Sequence, residues 1–62
     1  MMFKVSFQYS ESVYCANIVI AFNEDDVKEH YNRYSWFDIQ PASEYDLECA
    51  NRKGMPIVNL AQ

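Results

Sequence analysis

Phe3, Val5, Phe7 and Tyr9 alternate with Lys4, Ser6 and Gln8. Successive residues of a strand point to opposite faces, so this spacing predicts a half-buried strand over about 2–9. Ser10-Glu11-Ser12 is short and polar and reads as a hairpin loop. It lacks the Asn-Gly or Asp-Gly pair of the tightest hairpins, which leaves the turn type open. A second strand is predicted over about 13–22. Its alternation sets Ala16, Ile18, Ile20 and Phe22 on one side and Cys15, Asn17, Val19 and Ala21 on the other. The first set is the expected core face. The β-branched residues near its end favour strand over helix.

The period then changes to that of a helix. Val27, Tyr31 and Tyr34 follow one another at spacings of four and three, which makes one apolar stripe. Asn23 stands where a helix cap is needed, with Asp26 three residues on for a capping-box variant. Phe22 and Val27 are spaced for a hydrophobic staple across that start. Glu24, Asp25 and Asp26 put negative charge at the positive end of the helix dipole. A helix over about 24–34 follows. Ser43 repeats the grammar: Ala42 is the staple residue, Ser43 the cap, Asp46 the third helical residue and Leu47 the fourth. This second helix should run over about 44–53, with Arg52 and Lys53 in the turn where cations suit the dipole. Gly54, the sole glycine, falls where a left-handed residue ends a helix. Valine there should destabilise by roughly 1 kcal/mol or more.

Trp36, Phe37 and Ile39 predict a third strand over about 35–40, stopped by Pro41. A fourth strand is expected over about 55–60, with Pro56 at its start or on an edge. The order strand, strand, helix, strand, helix, strand predicts a small α+β domain spanning 1–62. The expected architecture is two-layer: one mixed sheet with both helices on one face, and strands ordered 2-1-3-4.

Size limits what such a domain can hold. At 62 residues it has a thin core, and its 16% aromatic content suits that core or one completed by a second copy. Five Lys and Arg against nine Asp and Glu leave a net charge of −4. No basic stripe is present to neutralise phosphates, so direct nucleic-acid binding is disfavoured and a basic or nucleic-acid-binding protein partner fits better. The apolar runs are far too short to span a membrane. Two cysteines, Cys15 and Cys49, do not make a secreted disulfide scaffold, and the N-terminal residues carry no leader pattern. Two free thiols in the cytoplasm are the expectation.

Candidate chemistry is sparse. His30 and Asp26 share a helical face, but two ligands do not make a metal site. Neither cysteine belongs to a Cys-x-x-Cys pair, the serines have one histidine among them, and no glycine-rich phosphate loop exists. We therefore expect no catalytic residues, no cofactor and no metal. Two features suit recognition instead. Glu24, Asp25 and Glu29 form an acidic patch able to meet a basic surface. Arg33, Tyr34, Trp36 and Phe37 crowd one junction, and neighbouring strand residues face opposite ways, so Trp36 and Phe37 cannot share one core. Exposed Trp, Tyr and Arg are preferred interface anchors. The sequence thus predicts a small acidic, non-enzymatic protein-binding module such as an inhibitor, adaptor or accessory protein docking on a larger partner. A self-associating structural protein, with homodimer formation open, is the first alternative. A weak single-stranded nucleic-acid binder using exposed aromatics is the second.

Overall fold

In the computed structural model, which describes residues 1–61, the two alternating runs form strands β1 (Met2–Ser10) and β2 (Val13–Ile20) of an antiparallel hairpin. Helix α1 (Glu24–Tyr31), strand β3 (Phe37–Pro41), helix α2 (Glu44–Lys53) and strand β4 (Ile57–Asn59) follow. The protein is a small α+β domain with a mixed four-stranded sheet and element order ββαβαβ.

The strands lie in the order β3-β1-β2-β4. β3 pairs antiparallel with β1, and β4 pairs parallel with β2. The expected order 2-1-3-4 is therefore corrected: β4 joins the β2 edge, not β3. The chain crosses β1 in one direction through α1 and returns over β1 and β2 through α2. Crossovers between parallel strands adopt one hand, so crossings in opposite directions place their helices on opposite faces. The packing follows this rule and corrects the two-layer expectation of helices on one face. Val27 and Tyr31 of α1 pack with Phe3, Val5, Phe7, Val19 and Ala21. On the other face Ile18 and Ala50 of α2 are buried, and both line a small cleft with Lys4, Cys49 and Met55.

Strand β2 is therefore covered on both sides. Its main core face is the Val19 and Ala21 side, not the Ala16, Ile18, Ile20, Phe22 side. Ile18 is buried all the same, beneath α2. Phe22 lies beyond the end of β2 and is 68% exposed, so the expected staple over Val27 does not cover it. Asn17 sits on the core face, where its Nδ2 donates to the Tyr31 hydroxyl at 3.0 Å. That bond satisfies two polar groups that would otherwise be costly to bury.

The N-cap residues are as the sequence predicts, although only the second start completes its capping box. Asn23 Oδ1 accepts from the Asp26 N–H, and Ser43 forms a full capping box with Asp46. Helix α1 stops at Tyr31, three residues earlier than expected. The turn that follows, with the Tyr34 N–H donating to the Tyr31 carbonyl, brings the Tyr34 ring to 4.6 Å from Phe7. A helix continued to Tyr34 is replaced by a tighter aromatic contact. β3 accordingly begins at Phe37, two residues later than expected. At the end of α2, Gly54 is left-handed with φ 72° and ψ 22°. The Gly54 N–H donates to the Asn51 carbonyl and the Met55 N–H to the Ala50 carbonyl. This pair of bonds satisfies the last carbonyls of the helix. Pro56 precedes β4, and its carbonyl accepts from the Ile18 N–H at 3.1 Å.

Candidate functional site

The sequence-predicted site residues do not form one surface. They divide between the two faces of the sheet. Glu24, Asp25 and Glu29 are exposed on α1, while Val27 and Tyr31 turn inward to the core. Lys28 Nζ sits 3.3 Å from Glu24 Oε2, so one carboxylate of the patch is partly neutralised. Arg33 is exposed just beyond the helix. Its guanidinium stands 5.1 Å above the Tyr34 ring, and Nη2 donates to the Tyr34 hydroxyl at 3.3 Å.

Two of the four expected anchors belong to the core margin. Tyr34 and Phe37 are half-buried and pack against the main apolar cluster, so neither ring is free to anchor a partner. Trp36 is different. It precedes β3, on the face opposite Phe37, and stays 46% exposed. Its ring meets Tyr14 edge to face, with centroids 5.9 Å apart, and Tyr14 is itself 65% exposed. The register explains the meeting. Gln8 lies opposite Tyr14 on β2, and its N–H donates to the Trp36 carbonyl at 2.9 Å. Tyr14, Gln8 and Trp36 thus align in one row across the sheet, with the two rings meeting over the central strand. Gln8 is held in turn: Ser35 Oγ donates to its Oε1 at 3.3 Å, and its Nε2 donates to the Glu11 carbonyl at 3.0 Å. Helix α2 covers the Lys4 and Ile18 end of this face and leaves the Tyr14 and Trp36 end open.

The sequence leaves Tyr14, like Tyr9 and Phe3 on the hairpin, open between an exposed anchor and a packed ring, because alternation along β2 alone does not decide it. The signal that finds it is pairing: a hairpin aligns Tyr14 with Gln8, and only the third strand brings Trp36 into the same row.

On the α1 side, Asp26, Glu29, His30, Asn32, Arg33 and Leu60 line an open depression of about 530 Å³. His30 and Asp26 both line it, but among the described residues no three His, Cys, Asp or Glu side chains are grouped to hold a metal ion. Burial pushes the Tyr31 phenol above its ordinary range, opposed by the Asn17 hydrogen bond. Cys15 and Cys49 are both free, one packed at the α1-side core and the other lining the α2 cleft on the opposite face. Among the described residues no helix is long and apolar enough to cross a membrane.

No protein-family model matches this chain, and neither a curated protein nor a solved structure matches it.

Proposed function

We propose that this protein is a small, acidic, non-enzymatic protein-binding module that docks on a larger basic partner through the Tyr14–Trp36 pair. The observation that carries this reading is the solvent-facing aromatic row over the uncovered end of the sheet. Tyr and Trp supply large contact area with few rotatable bonds, and they dominate interface energetics when a partner excludes water from them. The row is also pre-organised, since the two rings already meet edge to face and Gln8 beside them is held by Ser35 and Glu11. A preformed surface loses less freedom on association.

The acidic patch of α1 has a separate role in this reading. Glu24, Asp25 and Glu29 lie on the other side of the sheet from Trp36, so they do not touch what Trp36 touches. The molecule is only 30 × 25 × 18 Å, however. Its net charge of −4 is felt around the whole surface at low salt. Such a field speeds encounter with a basic partner and makes binding salt-sensitive, while the aromatic pair sets how long the complex lasts.

A non-enzymatic role is supported by the shape of the α1-side depression. It is open to water, whereas catalytic sites gain their electrostatic strength from exclusion of water. The test is capture of a partner from the source lysate with wild type, Trp36→Ala, Tyr14→Ala and Tyr45→Ala. Tyr45 is an exposed aromatic on α2 and serves as the control. One stoichiometric basic protein retained by wild type and Tyr45→Ala, and lost by the other two, is the expected result. Equal retention by all four, or recovery of the bait alone, overturns the reading.

A further inference from the structure

The two edges of the sheet are unequal. β4 is three residues long, too short to recruit another strand firmly. β3 is five residues long and pairs only through its β1 side. Which backbone groups it leaves free follows from the ladder. The Gln8 N–H donates to the Trp36 carbonyl, and the Ala42 N–H donates to the Met2 carbonyl. Even-numbered residues of β3 therefore face β1, and the N–H and C=O groups of Phe37 and Ile39 point outward, with the Pro41 carbonyl. Pro41 lacks an N–H at a position where no bond to β1 is lost.

We infer that the β3 edge pairs antiparallel with the β3 edge of a second copy of this chain, with Ile39 opposite Ile39 across a two-fold axis. The inference is argued from the β3 backbone and not from the docking surface proposed above, although Trp36 borders both. In this register the two Ile39 residues exchange two backbone bonds. Each Phe37 N–H adds one to the opposing Pro41 carbonyl, so only the bonds proline cannot make are missing. The side chains agree with the backbone. Asp38 of each copy lies opposite Gln40 of the other, and the amide donates to the carboxylate. Within one chain Gln40 Nε2 already donates to Asp38 Oδ2 at 3.1 Å, which shows the two groups are compatible. Phe37 faces the flat ring of Pro41, and Trp36 faces the small Ala42.

The neighbouring registers are worse. Setting Phe37 opposite Ile39 brings the two Asp38 carboxylates face to face, and like charges directly opposite are destabilising. Setting Ile39 opposite Pro41 leaves both Ile39–Pro41 pairs with one bond instead of two, because proline has no N–H. A lone acid on an edge commonly prevents pairing. Here Asp38 excludes one register and completes another. The product is a continuous eight-stranded sheet, closed by two-fold symmetry.

The experiment is sedimentation of the pure full chain at 0.5 M salt, where the charge on each copy is screened. The mass should rise with concentration from 7.3 kDa toward twice that value. Gln40→Lys sets an ammonium opposite Asp38 of the second copy and should tighten association, roughly tenfold for the two pairs. Asp38→Lys/Gln40→Lys sets ammonium against ammonium and should weaken it by a similar factor. Both variants make the chain less negative, so a simple relief of net repulsion would tighten both, the double variant most. Residues 38 and 40 of opposing copies would form a narrow pair, about 4.5 Å between Cα atoms, within disulfide reach. In a Cys15→Ala/Cys49→Ala background, Asp38→Cys mixed with Gln40→Cys should therefore cross-link on oxidation, and neither alone should do so. A constant monomer mass, tightening of both lysine variants, or cross-linking of either cysteine variant by itself overturns the proposal. Strand addition by some other polypeptide would show as the first of these outcomes.

Discussion

Replacing Gly54 by the two mirror forms of alanine isolates one backbone conformation from everything else. Gly54 ends α2 with φ 72°, and a Cβ built there meets nothing within 4 Å. For the L form no packing term enters. An L-residue in the left-handed region costs about 1–2 kcal/mol. Removing glycine's freedom from the unfolded chain returns about 0.4–1 kcal/mol. Gly54→Ala should thus destabilise by about 1 kcal/mol. A D-alanine at the same position has no steric penalty and keeps the unfolded-state gain, so it should stabilise by about 0.4–1 kcal/mol. A chain of 62 residues is accessible to chemical synthesis, and both forms can be compared by urea unfolding. The midpoint should move in opposite directions with the slope unchanged. For a domain this small, 1 kcal/mol corresponds to about 4–8 °C in Tm. If L-alanine is neutral, or D-alanine is as harmful as L-alanine, then the left-handed conformation of Gly54 is not what ends α2.

Other predictions concern polar groups and charge. Tyr31→Phe keeps the ring beside Phe7 but leaves the Asn17 amide without its partner, and should cost about 1 kcal/mol in urea unfolding. The raised Tyr31 phenol also makes wild-type stability fall as pH rises through about 10, because the unfolded phenol ionises first. Tyr31→Phe should lose that part of the fall. Hydrogen bonds from the Ser43 backbone N–H and hydroxyl hold the Asp46 carboxyl below its ordinary range. Its contribution is present above the ordinary Asp value near 3.9 and is lost as pH falls through the lower folded value. Asp46→Asn should therefore be less stable than wild type at pH 7 and approach it below about pH 3. Glu24→Lys/Asp25→Lys/Glu29→Lys should keep its circular dichroism spectrum, since all three side chains are exposed, and should bind the captured partner more slowly at low salt.

Much of the fold was legible because local chemistry and tertiary packing agree. The alternation of β1 reports its core face correctly, since one side of it, Phe3, Val5 and Phe7, is buried. Ser43, Asp46 and Gly54 mark both ends of α2 because their roles are local. What failed required knowledge of the third dimension. β2 is apolar on both sides, and alternation cannot choose between Ile18 and Val19 when helices cover both faces. Once β4 is placed beside β2, opposite helix placement follows from the handedness of the crossovers, but no single segment carries that information. The candidate surface was half legible. Opposite pointing of Trp36 and Phe37 was predictable from strand geometry alone. That Tyr14 would stand across Gln8 from Trp36 depends on the β3-β1-β2 order, which the sequence does not spell locally.

The central claim is that the Tyr14–Trp36 row is the surface a partner covers. Trp36 is the sole tryptophan, so its fluorescence reports that surface without a label. Titrating the captured partner, if it can be obtained free of tryptophan signal or with its own tryptophans replaced, isolates the Trp36 emission. The account predicts a blue shift that saturates at one equivalent, as the 46% exposed indole leaves water. Emission unchanged at saturating partner would contradict it.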